Sequence, residues 1–196
     1  IHFLNSSPLL SIIVGILILD LVGAYLPHLV QHKVKLLWYI HIVHHTDQKV
    51  DTTTANRHHP FESIVRFVFT LAGIFISGAP IGLVLMYQSL SVIFSQFSHA
   101  NIKFPKHIDT LISLVLISPD MHKVHHHHVL PYTDSNYGNI FSIWDRCFGT
   151  FMKLDREKLI YGVDVFPNEK ENGNILVLLK QPFQKYQKST TIPSKK

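Results

Sequence analysis

The chain has 196 residues, of which 46% are hydrophobic and only 16% are charged. With a mean hydropathy of +0.18, it is too apolar for a disordered chain and unusual for a soluble domain of this length, so a membrane protein is the leading class. The single cysteine, Cys147, excludes an internal disulfide framework and a cysteine-based zinc finger. The net charge of +5 is dispersed between apolar runs and forms no basic stripe, which argues against a nucleic-acid partner.

The first predicted element is an apolar run from Leu9 to Leu26 whose only charged residue is Asp20. Its length is about the minimum for crossing a hydrocarbon core roughly 30 Å thick, which predicts a transmembrane helix. A secretory signal peptide is the alternative, but no basic region precedes the run and no small-residue cleavage site comes after it. Because a carboxylate inside a membrane is costly, we expect Asp20 to face protein or water.

A second apolar run extends from Ile64 to Phe97, carries Arg66 near its start and is interrupted by Gly78-Ala79-Pro80. As one helix it would be roughly 50 Å long, well beyond the bilayer core. The interruption therefore predicts a helical hairpin with both ends on the same side. Each arm is short, so we expect tilted or partly spanning helices.

The later elements are shorter. The apolar segment from Ile108 to Ser118 is too short to cross and contains Asp109, so we expect an interfacial or buried helix. The residues after Phe151 are polar and end in a lysine-rich segment, which predicts a surface loop and frayed terminus over 152–196. We expect residues 1–196 to form one all-α integral membrane domain.

The 15 histidines outnumber the 13 acidic residues and are clustered. Histidines three and four residues apart share a helix face, so each HxxHH motif directs three imidazoles to one point, as in a metal site. One such spacing is a weak signal, because it is more often a polar helix face, but the repetition favours metal binding. The clusters are the pair His28 and His32, the triplet His41, His44 and His45, the single His99, and the triplet His122, His125 and His126.

The first two clusters constrain the backbone between them. On one unbroken helix from His28 to His45, at about 100° per residue, the pair and the triplet would point to nearly opposite faces. A bend between Lys33 and Leu36 is therefore predicted if all five histidines bind metal. Imidazoles without thiolates or carboxylates favour iron, zinc, copper or nickel, and their number exceeds the needs of one structural zinc ion, which indicates two metals.

The predicted topology also orients the clusters. The first span and the returning hairpin bring His28, His99 and His122 to the same side of the membrane. Lysines and an arginine surround the clusters, so the positive-inside rule predicts a His-rich helical cap on the cytoplasmic side.

The ordered motifs resemble the fatty acid hydroxylase, or sterol desaturase, superfamily. The similarity runs from about Asp20 to Thr150 and includes the clusters, His99 with Asn101, and the segments 57–62, 134–138 and 144–150; residues 161–163 are similar to the alkylglycerol monooxygenase branch. Leu29 stands where arginine is frequent in the superfamily. The resemblance implies that the metal ligands are His28, His32, His41, His44, His45, His99, His122, His125 and His126.

The resemblance also implies a function. Members are integral membrane di-iron oxidases that use O2 to hydroxylate or desaturate a lipid such as a sterol, a fatty acyl chain or an alkylglycerol. Two iron ions are the implied cofactors, with zinc as a substitute. The chain has no flavin or nicotinamide fingerprint, so we expect a separate electron donor of the reductase, cytochrome or ferredoxin type. The lipid substrate is expected to arrive from the bilayer.

Two alternatives stay open. A His-rich membrane metal transporter would place its ligands near the middle of the spans, whereas these clusters lie at or beyond the ends of the apolar runs. A catalytically silent relative would hold zinc in place of iron, because imidazole sites accept both metals.

Other motif residues are candidates for hydrogen bonds to the outer nitrogens of the ligand histidines. Asp134, Asn136 and Asp145 fit this role, although the surrounding Asp-Ser-Asn-Tyr-Gly is equally a turn sequence. His59 is a further candidate, but its position beside Pro60 favours a loop residue.

The remaining polar and aromatic residues have weaker patterns. His127 and His128 are expected to extend their cluster without binding metal, and His2 is expected at the surface. Tyr25 and Trp38 fit equally well as membrane-interface anchors or as site residues.

Overall fold

The computed structural model describes residues 7–184, which form helices joined by turns and loops. Within this range there is no β-strand, only two isolated bridges, Leu116–Phe141 and His127–Tyr161. The all-α prediction is confirmed. The helices are α1 (Pro8–Asp20), α2 (Leu26–Lys33), α3 (Lys35–His45), α4 (Pro60–Ser77), α5 (Ile81–His99), α6 (Lys106–Ile112), α7 (Pro119–His125), α8 (Ile143–Cys147), α9 (Glu169–Asn172) and α10 (Ile175–Lys180).

Three helical segments are long and apolar enough to cross a membrane: Pro8–Lys33, Pro60–Ser77 and Ile81–His99. Their most apolar stretches have mean hydropathies of 2.5, 1.5 and 1.4. Most side chains on these helices are not covered by protein, and Phe75 is 83% exposed. Such a continuous exposed apolar surface is typical of helices that contact the hydrocarbon region of a membrane.

The first span and the HxxxH pair lie on one helical segment. A π-helical turn, Leu21–Tyr25, joins α1 to α2. Such a turn holds an additional residue and rotates the helix after it relative to the helix before it. α2 ends at Lys33, and the extended backbone of Val34 (φ −98°, ψ 111°) separates it from α3. The bend predicted between Lys33 and Leu36 is confirmed.

The predicted hairpin is formed by α4 and α5. α4 ends at Ser77, and the next residue, Gly78, has a φ of 59°, a left-handed conformation that glycine adopts without strain. Pro80 comes next and begins the new direction, because proline cannot continue the preceding helix. The start of α4 and the end of α5 therefore lie at the same end of the hairpin.

Both arms of the hairpin pack against the first helical segment. Leu19 of α1, Leu83 and Tyr87 of α5 and Ile140 form a small buried cluster, with Ile74 of α4 packed at its edge. Leu83 and Ile74 are close to the hairpin turn, so the two arms meet the first segment there. Many other buried residues are polar, and buried polar groups need a hydrogen-bond partner or a ligand.

The segment around α6 is exposed over most of its length, although Ser113, Ile117 and Ser118 are buried. α6 ends at Ile112 and has no buried residue. Leu111, Leu114 and Val115 are each more than half exposed. Of the two alternatives for 108–118, these apolar side chains favour an interfacial helix over a buried one.

The segment after Phe151 differs from the expected surface loop. The side-chain amide of Asn172 donates to the backbone carbonyl oxygens of Phe166 at 2.8 Å and Thr46 at 3.3 Å. Its Oδ1 accepts a hydrogen bond from Gln181 Nε2 at 3.0 Å. These buried contacts tie the segment to the end of α3. His2 and the expected frayed terminus at 185–196 lie outside the described residues.

Candidate metal centre

Histidines from four helices meet in one interior region. α2 carries the HxxxH pair, α3 the first triplet, α5 the single His99, and α7 with the residue after it the second triplet. His28 is half-buried and the other predicted ligands are buried. Short local motifs thus become one three-dimensional cluster.

The cluster contains two groups made of histidines alone, and within each group one ring nitrogen from every member lies within 4.8 Å of those of the others. All of the predicted ligands belong to one group or the other, while His127 and His128 belong to neither. We call them the first group and the second group. The first group is His28, His32, His41, His45 and His125, and the second group is His44, His99, His122 and His126.

This division corrects the expectation that each triplet points to one place. At about 100° per residue, His45 lies about 40° from His41 around the α3 helix, whereas His44 lies about 60° to the other side. The first and last histidines of a triplet therefore share a group, and the middle one joins the other group. The second triplet obeys the same rule, with His125 separated from His122 and His126.

In the second group, three ring nitrogens surround a fourth. The Nε2 atom of His99 lies 3.3 Å from that of His44, 3.1 Å from that of His122 and 3.1 Å from that of His126. Nitrogens that share one ion at about 2.1 Å are about 3.0 Å apart at a right angle and about 3.4 Å apart at the tetrahedral angle. The observed spacing fits ligands of a common ion.

Hydrogen bonding alone does not explain these contacts. The Nδ1–H of His99 donates to the backbone carbonyl of Ser95 at 2.7 Å. A neutral imidazole has one N–H, so the Nε2 of His99 carries a lone pair. That single lone pair faces three other ring nitrogens, an arrangement that a bound cation would stabilise.

The first group has the same feature. The Nδ1–H of His28 donates to the carbonyl of Tyr137 at 2.9 Å, and that of His125 donates to the carbonyl of Ser135 at 2.7 Å. Both protons are thus on Nδ1, yet the two Nε2 atoms lie only 2.9 Å apart. Two lone pairs at this distance repel each other unless a cation lies between them.

Further nitrogens of the first group lack partners. Among residues 7–184, the Nε2 atoms of His32, His41 and His45 are buried without a hydrogen bond. A buried polar atom without a partner costs about 1–3 kcal/mol, so several together need an explanation. Metal binding provides one, and the residues present fit a metal.

Burial keeps the imidazoles in the form that binds metal. For five histidines on or directly after α3 and α7, burial away from water lowers the pKa of the ring well below the ordinary histidine value. Charge repulsion from neighbouring imidazoles lowers it further. These rings are neutral at neutral pH, and a metal ligand must be unprotonated. The affected residues are His44, His45, His122, His125 and His126.

The outer contacts come from a turn, and mainly from its backbone. Asp145 accepts hydrogen bonds from the backbone N–H groups of Tyr137 at 2.7 Å and Gly138 at 2.9 Å. Asn136 has a positive φ of 50° and its side chain bonds to the backbone of Met121 and Met152. Neither side chain bonds to a ligand histidine directly. They hold the turn whose backbone carbonyls accept hydrogen bonds from the ligand histidines.

Asp134 lies closer to the histidines but outside hydrogen-bond range. Its Oδ1 is 3.8 Å from the Nδ1 of His32. The same carboxylate accepts hydrogen bonds from Lys33 Nζ and from the Tyr137 hydroxyl. In place of the expected direct bonds from these acidic and amide side chains, the backbone carbonyls of Tyr137 and Ser135 contact His28 and His125.

His59 does not join either group of the described chain. It precedes α4, where its Nδ1 accepts a hydrogen bond from the backbone N–H of Phe61 at 3.2 Å. Its Nε2 lies 3.3 Å from the carbonyl oxygen of Leu179. These contacts make it a helix-capping residue that also joins α4 to α10, consistent with its place beside Pro60.

Two neighbours of His59 were missed by the sequence analysis. Glu62 is fully buried, and its Oε1 lies 3.1 Å from the Nδ1 of His41 and 2.9 Å from the Nδ1 of His58. The ring of His58 stacks on that of His44 at 4.6 Å. The available signal was a carboxylate four residues after a histidine at the start of an apolar helix, which places both on one face.

The aromatic and acidic residues of the first segment face protein. Trp38 is 1% exposed, and its ring lies 4.8 Å from that of His32 and 5.3 Å from that of His45. Tyr25 is fully buried, and its hydroxyl is 2.9 Å from Thr150 Oγ1. Both are therefore part of the site's surroundings and not membrane-interface anchors. Asp20 is also fully buried against protein, as expected.

A small cavity of about 30 Å³ lies between the two groups. His28 and His41 line it from the first group, and His44, His99 and His122 line it from the second. The cavity also reaches His58 and Arg66. The two groups thus line one common cavity.

Comparison with known proteins identifies the class. The model of the fatty acid hydroxylase family matches residues 12–150, and the chain belongs to this family. The matched range contains all of the candidate ligands.

Curated relatives come from bacteria and animals. The ornithine lipid hydroxylase OlsE of Rhizobium tropici is 25% identical over 175 residues, which cover 89% of this chain and 51% of the relative. Alkylglycerol monooxygenase of Homo sapiens is 28% identical over 144 residues, and that of Danio rerio is 31% identical over 146 residues; each match covers 72% of this chain and 30% of the relative. The chain spans about half or less of the length of these relatives. No solved structure matches it.

Proposed function

We propose that this chain is a membrane oxidoreductase that uses O2 to hydroxylate or desaturate a lipid at a pair of iron ions. The observation that carries the proposal is the set of facing Nε2 lone pairs in each histidine group. Membership of the fatty acid hydroxylase family supports lipid oxidation, and the curated relatives are a lipid hydroxylase and alkylglycerol monooxygenases.

The two histidine groups would each hold one ion. Carbonyl oxygens of Ser95, Ser135 and Tyr137 keep the protons of their histidines on Nδ1, which leaves Nε2 free to bind. Glu62 is placed to do the same for His41. The chain thereby fixes the tautomer and the direction of these rings before any ion arrives.

The interleaved triplets support joint action of the two ions. Rings that belong to different groups are neighbours on the same helix: His41 and His44 have centroids 5.2 Å apart, and His125 and His126 have centroids 5.4 Å apart. Iron bound there would supply the reduction of O2 and the removal of hydrogen from an unactivated C–H bond. Hydroxylation consumes O2, two electrons and two protons and releases one water; desaturation releases two.

The surrounding protein would protect and orient the reaction. The buried histidines lie at the ends of α2 and α5, where two of the candidate spans finish, so a lipid could reach them from the bilayer. The basic residues near this end support a cytoplasmic location by the positive-inside rule. The electrons would come from a separate donor protein.

Lipid analysis tests the proposal. Cells producing the wild-type chain, the His125→Ala variant or the His128→Ala variant are compared by mass spectrometry of lipid extracts, and the purified chains are assayed for iron. We expect a lipid that gains one oxygen or loses two hydrogens with wild type and His128→Ala, but not with His125→Ala. Bound metal without any lipid change, in the presence of O2 and reductant, would instead support a silent metal-binding relative.

A further inference from the structure

A groove of about 340 Å³ runs between α4 and α5. Gly23 of the π-helical turn lines it between the two arms, since a side chain there would lie 3.5 Å from Thr70 and 3.8 Å from the hydroxyl of Tyr87. From the place where Gly23 packs beside Thr70 and Tyr87, the groove extends along α5 to Gln96. The groove therefore lies between two of the candidate membrane-spanning helices.

The groove leads to the histidine groups. It shares His58, Arg66 and Ser95 with the small cavity that lies between the two groups. Ser95 also provides the carbonyl that holds His99. A molecule in the groove would thus reach the candidate metal centre at one end and the membrane-facing surface at the other.

The lining of the groove is unexpectedly polar for helices of this hydropathy. Phe67 and Val92 are more than half exposed and provide apolar surface. Gln88, Ser91 and Gln96 contribute amides and a hydroxyl from α5. Polar side chains within a span are costly and usually functional. Ser91 Oγ already accepts a hydrogen bond from the Asn139 amide at 2.7 Å. Gln88 and Gln96 are therefore the groups that a bare hydrocarbon would leave without a partner, whereas a lipid with oxygen atoms would pair with them.

Arg66 is the strongest donor in the groove. Its Nη1 lies 3.3 Å from His58 Nε2 and 3.7 Å from Glu62 Oε1. A guanidinium has five N–H donors, so donors remain for a ligand. The side chain is 37% exposed and lines both the groove and the small cavity. An oxygen bound by Arg66 would lie beside the histidine groups.

We propose that this groove binds the lipid at its polar linkage, an ester, ether or amide, and that Arg66 donates hydrogen bonds to the oxygen of that linkage. The proposal rests on the proposed function for the reaction itself. It adds that the C–H bond attacked lies near the polar linkage and not far along the hydrocarbon chain.

Thiol protection tests the groove without relying on turnover. In a Cys147→Ser background, Gln88→Cys places a thiol in the groove, while Ser89→Cys places one on the exposed surface of the same helix, outside the groove lining. The rate of labelling by N-ethylmaleimide is measured in detergent micelles with 1-monopalmitoylglycerol, 1-O-hexadecylglycerol or hexadecane. We expect a glycerol lipid to slow labelling at position 88 and not at 89, and hexadecane to slow neither.

The role of Arg66 is tested by adding Arg66→Gln to the Gln88→Cys chain. Loss of a hydrogen bond to a charged donor predicts that about tenfold more lipid is needed for half-protection. A thermal unfolding transition like that of the unsubstituted chain serves as the control for folding. Protection by only one glycerol lipid would identify the linkage.

Two results would overturn the proposal: hexadecane protecting position 88 as well as the glycerol lipids do, or an Arg66→Gln chain that unfolds at the wild-type temperature and shows unchanged protection. If Arg66→Gln does not fold, the comparison of glycerol lipids with hexadecane still shows whether the groove prefers a lipid with a polar linkage. Protection together with no lipid oxidation would contradict the proposed function and leave the groove assignment standing, so the two failures are distinguishable.

Discussion

Asp20 accepts a hydrogen bond from the indole Nε1 of Trp144 at 2.9 Å, across 124 residues of sequence. The same carboxylate accepts the backbone N–H groups of Phe141 at 3.2 Å and Ile140 at 3.3 Å. This segment comes directly after the turn whose Tyr137 carbonyl holds His28. One acidic residue within the first span therefore anchors the loop that orients a candidate metal ligand.

Replacing this anchor should destabilise the protein. In Asp20→Ala, one buried and two half-buried donors lose their acceptor. Because each unsatisfied buried group costs about 1–3 kcal/mol, we expect the free energy of unfolding to fall by about 2 kcal/mol. Thermal unfolding in detergent measures it, and metal content should fall as well. Asp20→Asn keeps one acceptor oxygen and should lose less. Equal stability of the Ala variant and wild type would contradict the anchor role.

The division of the triplets predicts distinct effects for adjacent residues. Since His44 belongs to the second group and His45 to the first, each single alanine variant should lose a different ion and keep about one per chain, and the double variant should keep almost none. Elemental analysis of the purified chains provides the count. If a whole triplet instead served one ion, the double variant would retain as much metal as either single variant.

Glu62 should strengthen metal binding without contacting the ion. Outer partners of ligand histidines typically change metal affinity by about 10–100-fold, so Glu62→Ala should weaken binding by that amount. Glu62→Gln, which keeps an acceptor oxygen near His41, should have a smaller effect. Competition with a coloured chelator measures the affinity. The exposed Glu157→Gln is the matched control, and the same affinity in Glu62→Ala and this control would refute the role.

Removing the metal should cost stability. Ring nitrogens that face one another without protons between them repel each other when no ion is present. A metal ion at a free concentration of about a hundred times its dissociation constant raises the free energy of unfolding by about 2.7 kcal/mol. We expect chelation to lower the Tm and added Fe(II) or Zn(II) to restore it. A Tm that stays constant while elemental analysis shows metal loss would argue against the two groups as the binding sites.

The features predicted from sequence were those with local causes. The hairpin arises from Gly78 and Pro80, and the break at Val34 is required by the helical phase of His28, His32 and the first triplet. In both cases residues close in sequence determine the backbone. The histidines themselves were identifiable because a metal site needs a specific side chain.

The missed features depend on contacts between distant segments. His41 meets Glu62 only because α3 packs on α4. The bonds to His28 and His125 come from backbone carbonyls. Every residue has a carbonyl, so no side-chain pattern marks the ones that are used. Asp145 acts through the backbone N–H groups it holds, and its role was visible only in three dimensions.

The π-helical turn Leu21–Tyr25 determines the rotation about the helix axis between the two halves of the first helical segment, α1 and α2. The half before it carries exposed apolar side chains such as Leu9 and Ile13, and the half after it carries His28 and His32. Deleting one residue from this turn would shorten the segment by only about 1.5 Å yet swing both imidazoles by about 100°. The helix would still be long enough to cross the bilayer, but its two histidines would no longer face the other ligands and metal binding would be lost. Helix length thus serves membrane crossing, whereas the π-helical turn serves metal binding.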